Sequence, residues 1–422
     1  MPCGCWRLTC RKSKQMHNMN AKEFFTDAAI EHPNVLYARM RNIAPVCQIG
    51  DTRAFLVSTH AAVEEAVKRH ETFSAQLKGM LVCGEDEQPK VFDLSAMGAT
   101  SNVIANADEP DHAVHRRLML PPLKASRMAD LEPELRRFAR QRVSTFMQQG
   151  GGNICPALAE ALPAYVVIRL LDLGDDSLEA VQRWAMMGGD FLAGRLNEKQ
   201  MEQVFIESMA LHTFLSTHLE TVQARNSRGD SLTATLAGGV DEGLITREQA
   251  IGILLVLFGA AGESTASLLG SAIRLLAMET SLQNQLRAKP ELIPNFIEEV
   301  VRLETPFKFH YRVVNSDTSL CGTALKAGDL LLLGWAAANR DPAHWEDPDM
   351  LKLDRARPER HLGFGYGIHF CIGAPLARLE VRVALEELLA STQQMTLDGA
   401  IPPAFAPSIF VRRLQYLHLK VF

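Results

Sequence analysis

Residues 364–373 read FGYGIHFCIG, and no other stretch limits the fold of this chain as tightly. Gly365 and Gly367, two apart, permit a tight turn with positive φ and let a flat object approach the backbone closely. Cys371 falls at the start of a predicted helix running from about Ile372 to Ala390, with Val381, Leu385, Leu388 and Leu389 as its buried stripe. At a helix start, partial positive charge and free N–H groups lower a thiol's pKa and favour thiolate. A thiolate on a glycine-rich loop, with His369 two positions earlier, suits axial ligation of haem iron. A structural cysteine buried beside a turn is the competing reading. It accounts for the cysteine and leaves the ten-residue pattern unexplained.

The chain has 422 residues, 47% of them hydrophobic and 22% charged, with a formal net charge of −5. That is ordinary globular composition. Nucleic-acid phosphate calls for concentrated Lys and Arg, so no nucleic-acid partner is expected. The longest apolar run, residues 251–261, is shorter than the roughly 20 residues a bilayer requires, and Gly262 and Glu263 interrupt it. The expectation is a soluble, cytoplasmic protein with no membrane partner. The start, MPCGCWRLTCRKSKQMHN, lacks a secretory apolar core. Residues 1–20 read as a disordered leader, with Met16 or Met19 as alternative starts. Cys3, Cys5 and Cys10 have no nearby ligands to complete a four-ligand metal site. Cys47, Cys83, Cys155, Cys321 and Cys371 are scattered singly, as free thiols in a reducing cytosol would be.

Residues 46–58 read as a short strand pair around a Gly-Asp turn. Helical patterns then dominate, over 61–69, 112–120, 128–148, 158–171, 177–187 and 198–225. A further helix opens on a capping box, Thr246 with Gln249, and runs to about Met278. At about 1.5 Å per residue its length approaches 50 Å, enough to cross a whole core. Residues 291–303 form another helix, 309–333 are strand-rich, and a Pro- and Arg-rich meander over 339–363 leads to the cysteine loop. The tail, from Ala406 to Val421, reads as strands. With no Pro or Gly linker evident, residues 21–422 are expected to form one domain, mainly α with small β-sheets.

The pattern F-G-x-G-x-H-x-C-x-G resembles the cytochrome P-450 haem-thiolate monooxygenases. The resemblance makes Cys371 the proximal ligand of haem b, which pushes electron density towards O–O cleavage. It implies the family's fold, with haem between the long central helix and the helix after the cysteine loop. Further matches extend it over roughly residues 21–422. Glu299-Val300-Val301-Arg302 resembles the family's E-x-x-R, a carboxylate–guanidinium fork on one helix face, which Arg355 of the meander would complete. Alone, that pair would read as a solvated surface ion pair. Asp111 to Arg117 resembles D-H-x-x-x-R, and by resemblance His112 and Arg116 meet the haem propionates, joined by Arg312 and His369. His361 is a weaker candidate.

The central helix carries Ala260-Ala261-Gly262-Glu263-Ser264 where the family has A/G-G-x-D/E-T. Glu263 and Ser264 are thereby the expected proton relay to bound dioxygen. From the helix alone, Glu263 reads instead as a buried carboxylate paired with an Arg from elsewhere. The Ser264 hydroxyl is expected to bond to the carbonyl of Ala260 and bend the helix. Ala261 replaces the usual glycine and Ser264 the usual threonine. Serine lacks the methyl that restricts the rotamer, which puts electron coupling in question. Thr265 would take the relay only after a helix rotation of about 100°.

The resemblance also places the substrate pocket between Ala260 to Ser264, residues 73–106 and Pro306 to His310, with Pro407 to Phe410 as a further wall. Phe307, Phe309, Ile409 and Phe410 suggest an apolar substrate, and the polar stretch 81–98 suggests a mobile cover. With no flavin- or ferredoxin-type segment in the sequence, electrons are expected from a separate ferredoxin or flavodoxin with its reductase. Arg116, Arg117, Lys124 and Arg378 are candidates for its basic docking patch. The implied activity is O2-dependent hydroxylation or epoxidation of a small apolar molecule. The alternatives are a peroxide-driven peroxygenase, against which Glu263-Ser264 argues, and a non-catalytic haem-binding sensor.

Overall fold

The computed structural model describes residues 21–94, 102–174, 177–225 and 229–422. The expected leader, with Cys3, Cys5 and Cys10, lies outside them. The central helix begins as its capping box dictates. Thr246 Oγ1 accepts from the Gln249 N–H at 3.1 Å, and Gln249 Oε1 accepts from the Thr246 N–H at 2.8 Å. It then runs from Arg247 to Met278, 32 residues, long and apolar enough to cross a bilayer yet mostly buried in the protein. Its first half packs Ile251, Ile253, Leu254 and Leu257 into one core, and its second half packs Leu268, Leu269, Ile273 and Leu276 into another. The expected core-crossing helix is present. Its middle, Phe258–Glu263, is a π-helical turn, which the sequence spacing did not indicate.

The largest sheet has five short strands. Val46–Gln48 pairs antiparallel with Ala54–Val57, which runs parallel to Leu330–Leu333. Leu330–Leu333 pairs antiparallel with His310–Val314, which also pairs with Phe73–Ser74. All four leucines of Leu330–Leu333 are buried because both faces of the sheet are covered. Leu330 and Leu332 join the core that holds Tyr311 and Val313, while Leu331 and Leu333 join a second. Side chains alternate along a strand, so His310 and Arg312 share the face opposite Tyr311 and Val313. Among the described residues, a three-stranded sheet, Gly151–Asn153 with His418–Val421 and Met395–Leu397, and three two-stranded sheets complete the small β content.

Most expected helices form within a few residues of their reading, including Asp111–Met119 and Ala374–Ser391. Three differences stand out. The stretch read as a polar cover is largely a hairpin, Gly79–Cys83 with Pro89–Asp93, and residues 95–98 of that reading lie outside the described residues. Pro407 to Phe410 forms a turn rather than a strand, because the Ser408 hydroxyl accepts from the N–H groups of Phe410 and Val411. Helices Pro33–Ile43 and Leu232–Asp241 were not anticipated.

Glu299 and Arg302 on helix Ile293–Leu303 are both fully buried. Arg302 forks onto Glu299 at 2.6 and 2.9 Å, and Arg355 adds Nε–Oε1 at 2.8 Å, as expected. The same Glu299 accepts from the Lys352 N–H, and Arg302 donates to the Met350 carbonyl. The cluster therefore pins the meander that leads to the cysteine loop.

Candidate active site

A cavity opens between the central helix and the cysteine loop. Val256, Leu257, Ala260, Ala261, Ser264, Thr265 and Leu268 line one side, and Phe364 to Tyr366 with His369 to Gly373 the other. Gly365 and Gly367 take the positive φ values expected, 71° and 69°. The loop is closed by Cys371 N–H to Phe364 O at 2.9 Å and Phe370 N–H to Gly367 O at 3.0 Å. The helix itself starts three residues beyond the cysteine, at Ala374, with Gly373 as its cap. Burial pushes the Cys371 thiol up, against the N–H groups of Gly373 and Ala374 and the charges of Arg378 and Arg116. This corrects the expectation of a lowered pKa. A thiol so placed loses its proton by binding a metal cation rather than by free ionisation.

Around the rim, His112, Arg116, Arg312 and His369 all face this cavity. His112 and Arg116 lie four apart on one helix face, as the motif requires. The His112 and His369 rings are 4.0 Å apart. Arg312 is buried and donates to the Tyr311 carbonyl at 2.7 Å; Arg116 donates to Phe370 O at 2.8 Å. Among the described residues no carboxylate hydrogen-bonds to either arginine. The buried Nε2 of His112 has no protein partner. Burial and the nearby Arg312, His112 and Arg116 push His369 down to about 2, so it is neutral. The buried Arg312 with no hydrogen-bonded carboxylate, the half-buried Arg116 and the orphaned His112 Nε2 call for an anionic partner. A flat iron porphyrin with two carboxylates would fit this donor set, the glycine-lined floor and the thiol. His361 does not take part: its ring lies outside the cavity wall, between Glu298 Oε2 at 3.2 Å and the Gly363 N–H.

On the central helix, Ser264 Oγ donates to Ala260 O at 2.6 Å, the bond its position led one to expect. Glu263 is turned away from the cavity wall. It is fully buried, with Oε2 accepting from the Gly189 N–H at 2.7 Å and Oε1 from Arg413 Nε at 3.0 Å. Arg413 also reaches Asp190 at 3.2 Å, whose side chain is 43% exposed. Burial outweighs Arg413 and pushes Glu263 up to about 8. The carboxylate–arginine pairing read from the helix alone is therefore present, and the carboxyl and hydroxyl are not in direct contact. A side chain at Gly189 would collide with the Glu263 carboxylate.

Arg413, Asp190 and Gly189 escaped sequence reasoning, as did Glu380, a buried acid on the cavity wall with one oxygen unpartnered. Of the basic-patch candidates, Arg117 and Lys124 are exposed, while Arg378 is held by Glu298 at 2.7 and 2.8 Å.

Fold and cavity together define a haem-thiolate oxidoreductase. The Cytochrome P450 family model matches residues 190–414, over half of the chain. Cytochrome P450 144 of Mycobacterium tuberculosis is 38% identical over 402 residues, covering 95% of this chain and 92% of that protein. Mycinamicin IV hydroxylase/epoxidase of Micromonospora griseorubida is 31% identical over 68% of this chain and 71% of its own. The crystal structure of CYP109E1 from Bacillus megaterium in complex with testosterone superposes with a TM-score of 0.80 at 28% identity, covering 95% and 99% of the two chains. The chain belongs to the cytochrome P450 family, whose members are monooxygenases that hold haem b through a cysteine.

Proposed function

We propose that this cytoplasmic chain inserts one atom of O2 into a small, largely apolar organic molecule, with residues 21–422 acting as one domain. Electrons come from a separate ferredoxin or flavodoxin, docking near Arg117 and Lys124. The carrying observation is the juxtaposition in one cavity of Cys371, the four rim groups and the Ser264 hydroxyl. When bound, the haem supplies dioxygen activation, with the thiolate favouring O–O cleavage.

The chain's own residues do the rest. Cys371 holds the iron, and His112, Arg116, Arg312 and His369 hold the propionates. Ile104, Met119, Leu123, Leu170, Val256 and Leu257 exclude water and favour an apolar guest. Ser264 Oγ holds a proton at the distal wall. Glu263 carries the reserve proton, because a group at about 8 is mostly protonated near neutrality. It delivers that proton after its carboxyl swings from Arg413 towards Ser264, and Asp190 is the refill point from solvent.

The test is product formation from dioxygen, reductant and redox proteins, with none from peroxide alone. Cys371→Ser must lose the thiolate signature of the reduced carbon monoxide complex. Turnover with peroxide alone, or a retained signature, refutes the reading.

A further inference from the structure

His310 shares a strand face with Arg312 and lies near His369, yet its ring packs among aromatic side chains. Its ring lies 5.5 Å from Phe307 and 5.6 Å from Phe410, both edge-on, and 6.1 Å from Trp335. The indole N–H of Trp335, a residue 3% exposed, donates to His310 Nδ1 at 2.7 Å. An indole nitrogen can only donate, so Nδ1 must offer its lone pair and the ring proton must sit on Nε2. The same bond excludes the imidazolium form, which has no lone pair to offer. Burial and the charge of Arg312 act in the same direction, holding His310 down to about 3. Among the described residues no protein group pairs with Nε2, and the ring forms part of the cavity wall. Trp335 thus locks a neutral N–H donor into an otherwise aromatic corner.

We propose that His310 determines substrate specificity, its Nε2–H donating to a carbonyl or equally strong acceptor oxygen on an otherwise apolar substrate. The assignment rests on the monooxygenase reading and deepens it by naming the substrate class. Phe307, Phe410 and Trp335 offer the N–H no acceptor, so a guest without an oxygen there leaves a buried donor unpaired. A neutral ring gives an anion no charge advantage, and an amine brings a donor to a donor. A neutral ketone on a hydrocarbon frame is the fitting class.

The experiment titrates the ferric holoprotein with 4-phenylcyclohexanone and with phenylcyclohexane, following loss of the distal water. The wild type is expected to bind the ketone at least about tenfold more tightly, in keeping with a site built around one hydrogen bond. In His310→Phe, which keeps the ring packing, the two affinities should come within about twofold, the hydrocarbon binding at least as tightly as in the wild type because no donor is left unpaired. His310→Gln, which retains an N–H donor, should restore most of the preference. Absence of a ketone preference in the wild type, including no response to either probe, overturns the proposal. So does a preference that survives in His310→Phe. A haem content of His310→Phe well below that of the wild type assigns the N–H to a propionate instead and likewise overturns the proposal. The reduced carbon monoxide spectrum of the same samples separates the two readings. A thiolate signature without ketone preference sinks only the role of His310, whereas no thiolate signature sinks the monooxygenase reading.

Discussion

Arg413 and Glu263, 150 residues apart in sequence, meet at 3.0 Å in a pocket where the arginine is 8% exposed and the carboxylate 0%. The pair ties part of the protein's stability to pH. Burial raises Glu263 to about 8, so the folded state keeps a proton that the unfolded chain gives up near the ordinary carboxylate pKa. Its contribution to stability is complete below that ordinary value and is lost as pH rises through about 8. Wild-type unfolding free energy should therefore fall relative to Glu263→Gln, by about 1 kcal/mol per pH unit between about pH 5 and 8. Urea unfolding of the two proteins across that range measures it. Parallel pH profiles would show that the buried carboxyl does not retain its proton.

Ser264 and Glu263 should also separate haem binding from electron use. Ser264→Ala and Glu263→Gln are expected to retain haem and to lower product per electron by at least about tenfold, the deficit emerging as hydrogen peroxide. Product and peroxide are quantified against reductant consumed. Unchanged coupling in both variants removes them from the proton path.

The Glu299–Arg302–Arg355 cluster makes a stability prediction. Arg302→Leu leaves a fully buried Glu299 with only Arg355 and the Lys352 N–H, and should cost about 3–5 kcal/mol. Arg302→Lys should recover little, since an ammonium cannot reproduce the two-pronged contact. Denaturant midpoints of the three proteins test this. A near-wild-type midpoint for the leucine variant would mean that the meander is held by other contacts.

How much of this was legible in the sequence depended on the range of each interaction. The Thr246 cap, the Glu299–Arg302 fork and the Gly365–Gly367 turn are local, with partners a few residues apart, so spacing gives their contacts, while the burial of the fork and the role of Cys371 followed from the family resemblance. The orientation of Glu263 is not local. It depends on the π turn at Phe258–Glu263, because one extra residue turns a helix face by about 100°. It depends equally on Arg413, which lies in a tail that offers no helical spacing to read. The locked tautomer of His310 follows from sheet register. His310 pairs with Leu333, which brings Trp335, two residues on, alongside the ring. The hairpin at Gly79–Cys83 and Pro89–Asp93 was hidden by its acidic, proline-bearing turn region, a composition shared with mobile loops.

The parallel alignment of Ala54–Val57 with Leu330–Leu333 has a consequence for biogenesis. An apolar strand that emerges early from the ribosome has no inner neighbour until more than three quarters of the chain has been made. Until then its edge is an open template for other nascent chains. Folding cannot proceed from one end to the other, and a sheet closed across such a separation forms slowly. Chaperone supply and elongation speed, more than the finished fold's stability, should therefore limit the yield of this protein in a cell.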